Sequence, residues 1–157
     1  MIFATVGSTQ IPFGRLMRAL DGFPDGPLFV QHGPVQAPLG ATWSRAYMQF
    51  PAVIEHMRRA DVVVCHAGAG SVLCALREGH TPVVVPRLKR HGETVDDHQA
   101  EFAAALAAEG SVIAVDDLDR LGEAIAAAPP RRSLRRRADL LPIQAAVREV
   151  LHAPSCP

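Results

Sequence analysis

With 157 residues, 48% of them hydrophobic, and 16 basic side chains against 16 acidic ones, the chain has the size and apolar content of one globular domain with a core to bury. That composition excludes a disordered or fibrous chain. A formal net charge of +0 also lacks the basic surplus that phosphate-backbone binding requires, so no nucleic-acid partner is expected.

Met1 leads directly into a short apolar run with no basic n-region, so no secretory signal is expected. The run predicts a strand over 2–6, ending in the small polar Gly7-Ser8-Thr9. Apolar residues spaced by three and four predict a helix over 13–20, and a strand follows over 28–30. Residues 31–49 are broken by Gly and Pro and hold the only Trp and Tyr, Trp43 and Tyr47. No element is placed there, and the two aromatics are read as packing residues rather than as a base-stacking platform. Helices over 52–60, 72–78, 97–109 and 118–127 then alternate with strands over 62–65, 82–85 and 112–115. Those three strands lack polar alternation, as central parallel strands covered on both faces should. Gly79 and Gly110 stand where helix C-caps are wanted. Pro129-Pro130 stops the pattern, the basic run from Arg131 to Arg137 follows, and a last helix is predicted over 143–151. Alternating β and α segments predict an α/β parallel sheet with helices on both faces. A single domain is expected over 1–157, with its core over about 1–128 and a basic turn and helix over 129–157.

No segment approaches the roughly 20 apolar residues of a membrane helix. Cys65, Cys74 and Cys156 are odd in number and widely spaced, which fits neither a disulfide framework nor a zinc site and points to a reducing compartment.

The chemistry-bearing residues follow three strands. Val62-Val63-Val64-Cys65-His66 runs into Ala67-Gly68-Ala69-Gly70-Ser71 and then a helix, an arrangement that suits an anion. Gly68 and Gly70 admit a close ligand, Ser71 is expected to cap the helix, and the free N–H groups and dipole favour phosphate. A tight turn without ligand would satisfy the same pattern. The sequence is neither the dinucleotide fingerprint nor a Walker loop. His66 ends its strand at the carboxyl edge, where open α/β sheets bind ligands. The stretch from Pro86 to Gln99 is too polar to be core. Its Asp97, His98 and Gln99 offer the carboxylate, imidazole and amide that hold sugar hydroxyls, although acids there also suit a helix N-terminus. Gly7, Ser8 and Thr9 form the third loop at the same edge, and three such loops together point to a nucleotide-linked ligand.

These residues resemble the donor-binding half of GT-B glycosyltransferases of family 28, over about residues 1–128. The matching landmarks are Thr5-Val6-Gly7-Ser8-Thr9, Ala60-Asp61, His66-Ala67-Gly68-Ala69-Gly70-Ser71, Val84-Val85-Pro86-Arg87 and Gly92-Glu93-Thr94-Val95-Asp96-Asp97-His98-Gln99. The resemblance extends to the small donor subunits of two-component UDP-sugar transferases, in dolichol-linked glycan and bacterial exopolysaccharide synthesis. It implies a Rossmann-like α/β domain, a single GT-B half, that binds a UDP-sugar through Gly7, Ser8, Thr9, His66, Gly68, Gly70, Ser71, Arg87, Glu93, Asp97, His98 and Gln99. It also implies transfer of a hexose unit to a polyprenyl-diphosphate-linked acceptor, which a membrane-anchored partner subunit would hold together with the general base.

The implied enzyme is a cytoplasmic hexosyltransferase, active with its partner and held through it at the membrane face. No residues have metal-ligand spacing, and no metal or cofactor is expected. The length suits one of the two GT-B domains, and an unpaired apolar face would allow self-association in isolation. The sequence departs from the family at Cys74, where many members place a Glu that grips the ribose. A thiol cannot replace it, so either the ribose is held differently, with Glu78, one helical turn on, or Glu93 as a substitute, or uridine selectivity is weaker than in the family. The basic run reads as a solvated turn or as a contact with anionic lipid or an acidic partner. Two alternatives stay open: a noncatalytic nucleotide-sugar-binding scaffold, and a stand-alone epimerase or hydrolase using His66 or His98.

Overall fold

The computed structural model describes residues 1–22 and 26–132. The helix expected over 143–151, Arg135 to Arg137 of the basic run, and Cys156 lie outside the described residues.

Six strands form one parallel sheet: β1 (Ile2–Thr5), β2 (Leu28–Gln31), β3 (Trp43–Arg45), β4 (Val62–His66), β5 (Val83–Val85) and β6 (Ile113–Ala114). Their spatial order is β3-β2-β1-β4-β5-β6, with every neighbouring pair parallel. Chain direction across the sheet therefore reverses between β1 and β4. The helices are α1 (Gly14–Ala19), α2 (Phe50–Arg59), α3 (Ala69–Arg77), α4 (His98–Ala108) and α5 (Leu121–Ala127). No helix among the described residues is long and apolar enough to cross a membrane.

Strand side chains alternate between two covered faces, and that is why the strands read as continuous apolar runs. Ile2, Ala4, Val64, Val83 and Val85 join Phe13, Leu16, Met17 and Leu20 beside α1, and Leu121 and Ile125 of α5, on one face. Phe3 and Val63 pack against Met57 of α2 and Ala75 of α3 on the other, where Cys65 and Val84 meet Val72, Phe102 and Leu106. Helices on both faces are thus as the alternation implies.

α3 and α4 both end in a left-handed glycine. Gly79 (φ +88°) donates to Leu76 O while His80 donates to Ala75 O, and Gly110 (φ +71°) and Ser111 repeat the pattern on α4. β3 falls in the segment where no element was predicted. It is a three-residue edge strand whose Trp43 stacks 6.1 Å from Phe29 and 5.0 Å from His56, so this aromatic does pack as expected.

Candidate functional site

The reversal between β1 and β4 opens a crevice at the carboxyl edge of the sheet, and the loops after β1, β4 and β5 meet there. The first loop is set by a ring of buried hydrogen bonds. Thr5 Oγ1 donates to Gln31 Oε1 (2.8 Å) and accepts from Gly7 N (3.1 Å), while Gln31 Nε2 donates to Gly7 O (3.2 Å). Gly7 takes the positive φ (+78°) that closes this turn. Gln31 escaped the sequence reading, although a lone amide ending the apolar run of β2 was its signal.

His66, at the end of β4, is pinched between two glycines. A Cβ built on Gly7 would lie 2.5 Å from His66 Cε1, and one on Gly68 would lie 2.2 Å from Nε2. Its Nδ1 is buried and has no hydrogen-bond partner among the described residues. Burial, with the Arg87 guanidinium adding to it, pushes the imidazole down to about 4, so the ring is neutral near pH 7.

The small residues after His66 then open α3. Gly68, not Ser71, is the N-cap, and no side chain caps this end. Ser71 instead sits inside the first turn, because the helix begins three residues earlier than the apolar spacing suggested. The first-turn N–H groups of residues 69–71 consequently have no acceptor among the described residues. Gly70 is exposed, and nothing lies within 4 Å of a Cβ added there. Protein packing therefore does not account for its missing side chain, whereas Gly68 is required by His66.

The third loop is less polar in fact than in composition. Arg87, Leu88 and Glu93 are buried, which corrects the reading of this stretch as too polar to be core. Arg87 is only 1% exposed, and its guanidinium donates to the main-chain oxygens of Val6, Ile11, Pro12 and Glu93. The Glu93 carboxylate is held by Arg15 (3.0 and 2.9 Å) and by Leu88 N (3.1 Å). Neither side chain is presented to a ligand as expected, because desolvating a charge this deeply demands internal partners: both Nη atoms of Arg87 and both oxygens of Glu93 are engaged inside the protein, and Arg87 Nε is buried with no partner among the described residues. Arg15, half-buried on α1, was not foreseen either.

Of the corner residues, Gln99 Oε1 accepts from Arg87 N (3.2 Å) and Asp97 Oδ1 from Lys89 N (2.9 Å). His98 is 73% exposed beside Asp96 and Glu101. Hydrogen bonds among the described residues do not link Asp97 or His98 to either glycine loop. Ser8 is exposed, and Thr9 Oγ1 accepts from Ile11 N (3.2 Å). Tyr47 is exposed rather than packed, and its hydroxyl donates to Gln10 Oε1 (2.9 Å) at the rim of the first loop.

The expected substitutes for the ribose-gripping Glu are committed elsewhere. Glu78 ends α3 away from the glycine loop and pairs with Arg58 Nε and Nη2 (3.1 and 3.2 Å), and Glu93 is buried with Arg15. Cys74 is half-buried against the Phe3 and Met57 cluster, where burial raises its thiol. A separate groove of about 450 Å³ lies between β6 and α5, lined by residues such as Val115, Asp116, Arg120 and Glu123. It stands at the sheet's edge strand and not at the switch point, and none of the three loops reaches it.

An open parallel sheet wound in both directions from β1 and β4, with glycine loops meeting at the reversal, defines an α/β domain of the class that binds ligands at the topological switch point. Residues 37–139 match the glycosyltransferase family 28 C-terminal domain, and the chain belongs to that family. It is similar to "UDP-N-acetylglucosamine transferase subunit ALG13" of Yarrowia lipolytica, 44% identical over 66 residues, 42% of this chain and 32% of the relative. A protein of the same name from Cryptococcus neoformans is 38% identical over 63 residues, 39% of this chain and 30% of the relative. The match thus spans about a third of the length of these curated relatives.

Proposed function

We propose that the chain is the donor-binding subunit of a two-component glycosyltransferase that moves a hexose unit from a UDP-sugar to a lipid-linked acceptor. The observation that carries this reading is the pair of glycine approaches to His66 beneath the uncapped N-terminus of α3. There a diphosphate would meet the main-chain N–H groups of residues 69–71, the helix dipole, and a neutral imidazole able to donate one hydrogen bond. The same groups would hold the charge that grows on the leaving nucleotide as the sugar bond breaks, without having to reorganise. His98, Asp97 Oδ2 and Gln99 Nε2 would orient the sugar hydroxyls.

The names of the relatives, which describe a UDP-N-acetylglucosamine transferase subunit, support both the donor class and a partner subunit. Exposed Ile11, Tyr47, Phe50 and Val95 around the carboxyl edge support that partner's docking there. The partner would be membrane-anchored, would supply the acceptor site and the general base, and would hold this chain at the cytoplasmic face. The reading gives the site no metal and no cofactor.

Calorimetric titration with UDP, GDP and their sugar conjugates tests the reading. UDP and its conjugates should bind in preference to GDP. His98→Ala should weaken a UDP-sugar by about 10-fold, the worth of one hydrogen bond, while leaving UDP itself nearly unchanged. Absence of UDP binding by the chain both alone and with its partner would overturn it.

A second reading, a noncatalytic nucleotide-sugar-binding scaffold, is favoured by the loss of the ribose carboxylate at Cys74 with Glu78 and Glu93 both engaged. Sugar transfer in the presence of the partner would exclude it.

A further inference from the structure

We infer that Arg87 is the positioning residue of this site, a buried staple that fixes the loop after β1 against the loop after β5 and thereby sets nucleotide affinity. The inference rests on the donor-binding reading for the identity of the ligand, but not for the staple itself.

The geometry suits a guanidinium and no other cation. Nη1 donates to Ile11 O (2.9 Å), Pro12 O (3.1 Å) and Glu93 O (3.3 Å), and Nη2 donates to Val6 O (3.2 Å). One planar fork thus binds three carbonyls of the first loop and one of the third, which a single ammonium on a flexible stem cannot span. The Phe13 ring, its centroid 4.6 Å from the guanidinium carbon, covers the cation. Arg15 closes the outer side, with its Nη2 on Pro86 O (2.9 Å) and its fork on the Glu93 carboxylate. The main-chain N–H of Arg87 reaches Gln99, which ties in the start of α4 as well.

Two features go beyond a structural ion pair. Glu93 is paired with Arg15, and the buried Arg87 makes no ion pair among the described residues, so its charge rests on main-chain carbonyls. The carbonyls of Val6, Ile11 and Pro12 are also drawn inward onto Arg87. Among the described residues, the amides of Ser8, Thr9 and Gln10 have no acceptor, whereas those of Gly7 and Ile11 are satisfied by Thr5 and Thr9. Arg87 thus holds the acceptors of this loop away from an anion and leaves its donors unspent. Loosening it would misplace those donors, and a displacement of the order of 1 Å costs up to about 100-fold in function.

Amide hydrogen exchange and UDP titration on Arg87→Lys test this together. Exchange at the bonded amides of residues 6–13, those of Val6, Gly7 and Ile11, should rise by about 10-fold or more while α5 stays unchanged, and UDP should bind about 10- to 100-fold more weakly. Ile125→Val, a core change on α5, serves as the control that lowers thermal stability without touching the loops. Unchanged exchange over 6–13, or a loss of UDP affinity no greater than in the control at equal thermal loss, would overturn the inference. If the native chain binds no UDP, the nucleotide reading falls, and exchange alone decides the staple. Should Arg87→Lys not fold, Glu93→Gln keeps the carbonyl bonds but removes the carboxylate from Arg15 and Leu88. Because Arg87 keeps its bonds to Val6, Ile11 and Pro12, exchange should rise over 86–93 and not over 6–13, and an equal rise over 6–13, or none over 86–93, would overturn the inference.

Discussion

His66 shows how a single side chain ties stability to pH in this molecule. Its ordinary value of 6.5 falls to about 4 in the fold, because the ring is desolvated between two glycines and lies near the Arg87 guanidinium. Between those two values the unfolded chain binds a proton that the folded chain refuses. The resulting stability is complete above about pH 6.5 and is lost as the pH falls towards 4, by an amount on the order of 3 kcal/mol. Urea unfolding measured from pH 7.5 down to 4.5 should show this decline, and His66→Gln should flatten that part of it. The slope left in the variant belongs to other groups, including His56 and His80, whose values burial also depresses. An unflattened profile would mean that His66 is as accessible to protons in the fold as in the unfolded chain.

At the scale of elements, the helix ends decide where the loops go. α3 closes on Gly79, and the residue it must accommodate is distant in sequence: Arg132 N donates to Gly79 O (2.8 Å), and a Cβ on Gly79 would lie 2.2 Å from Arg132 O. Arg131 reaches Arg58 O at the end of α2, so the start of the basic run is docked on α2 and α3 and is not freely solvated. Gly79→Ala is expected to cost about 2–3 kcal/mol from its left-handed φ together with the clash. Gly110→Ala meets open space and should cost about 1 kcal/mol. Thermal unfolding of both variants checks the difference, and equal losses would show that Arg132 does not press on Gly79.

For the whole molecule, stability rests on two covered sheet faces. Leu16 is fully buried in the cluster that joins α1, the centre of the sheet and α5. Leu16→Ala should therefore remove about 2–5 kcal/mol, a large share of the roughly 5–15 kcal/mol that holds a domain folded. Chemical denaturation should show a lower midpoint with an unchanged slope. A loss below about 1 kcal/mol would mean that α1 does not carry this face of the core.

The α/β order, the strands around Phe3, Val64 and Val84, and the glycine stops at Gly79 and Gly110 were legible in the sequence because each is a local property. Apolar runs bounded by turn residues need no partner to be recognised, and a left-handed helix end calls for glycine wherever the helix lies. β3 was not legible, since Trp43, Ser44 and Arg45 carry little strand pattern and are held by β2 alongside them. Three polar residues escaped for the same kind of reason. Arg87 and Glu93 sit in a stretch whose composition reads as solvated, and Gln31 ends a strand 24 residues from the loop that it shapes. The glycine loop, His66 and the Asp-His-Gln corner were thus nominated from sequence, as a proposed site. Tertiary structure decided which charges are spent inside the protein, because the burial of an ion depends on carbonyls and carboxylates brought to it from remote parts of the chain.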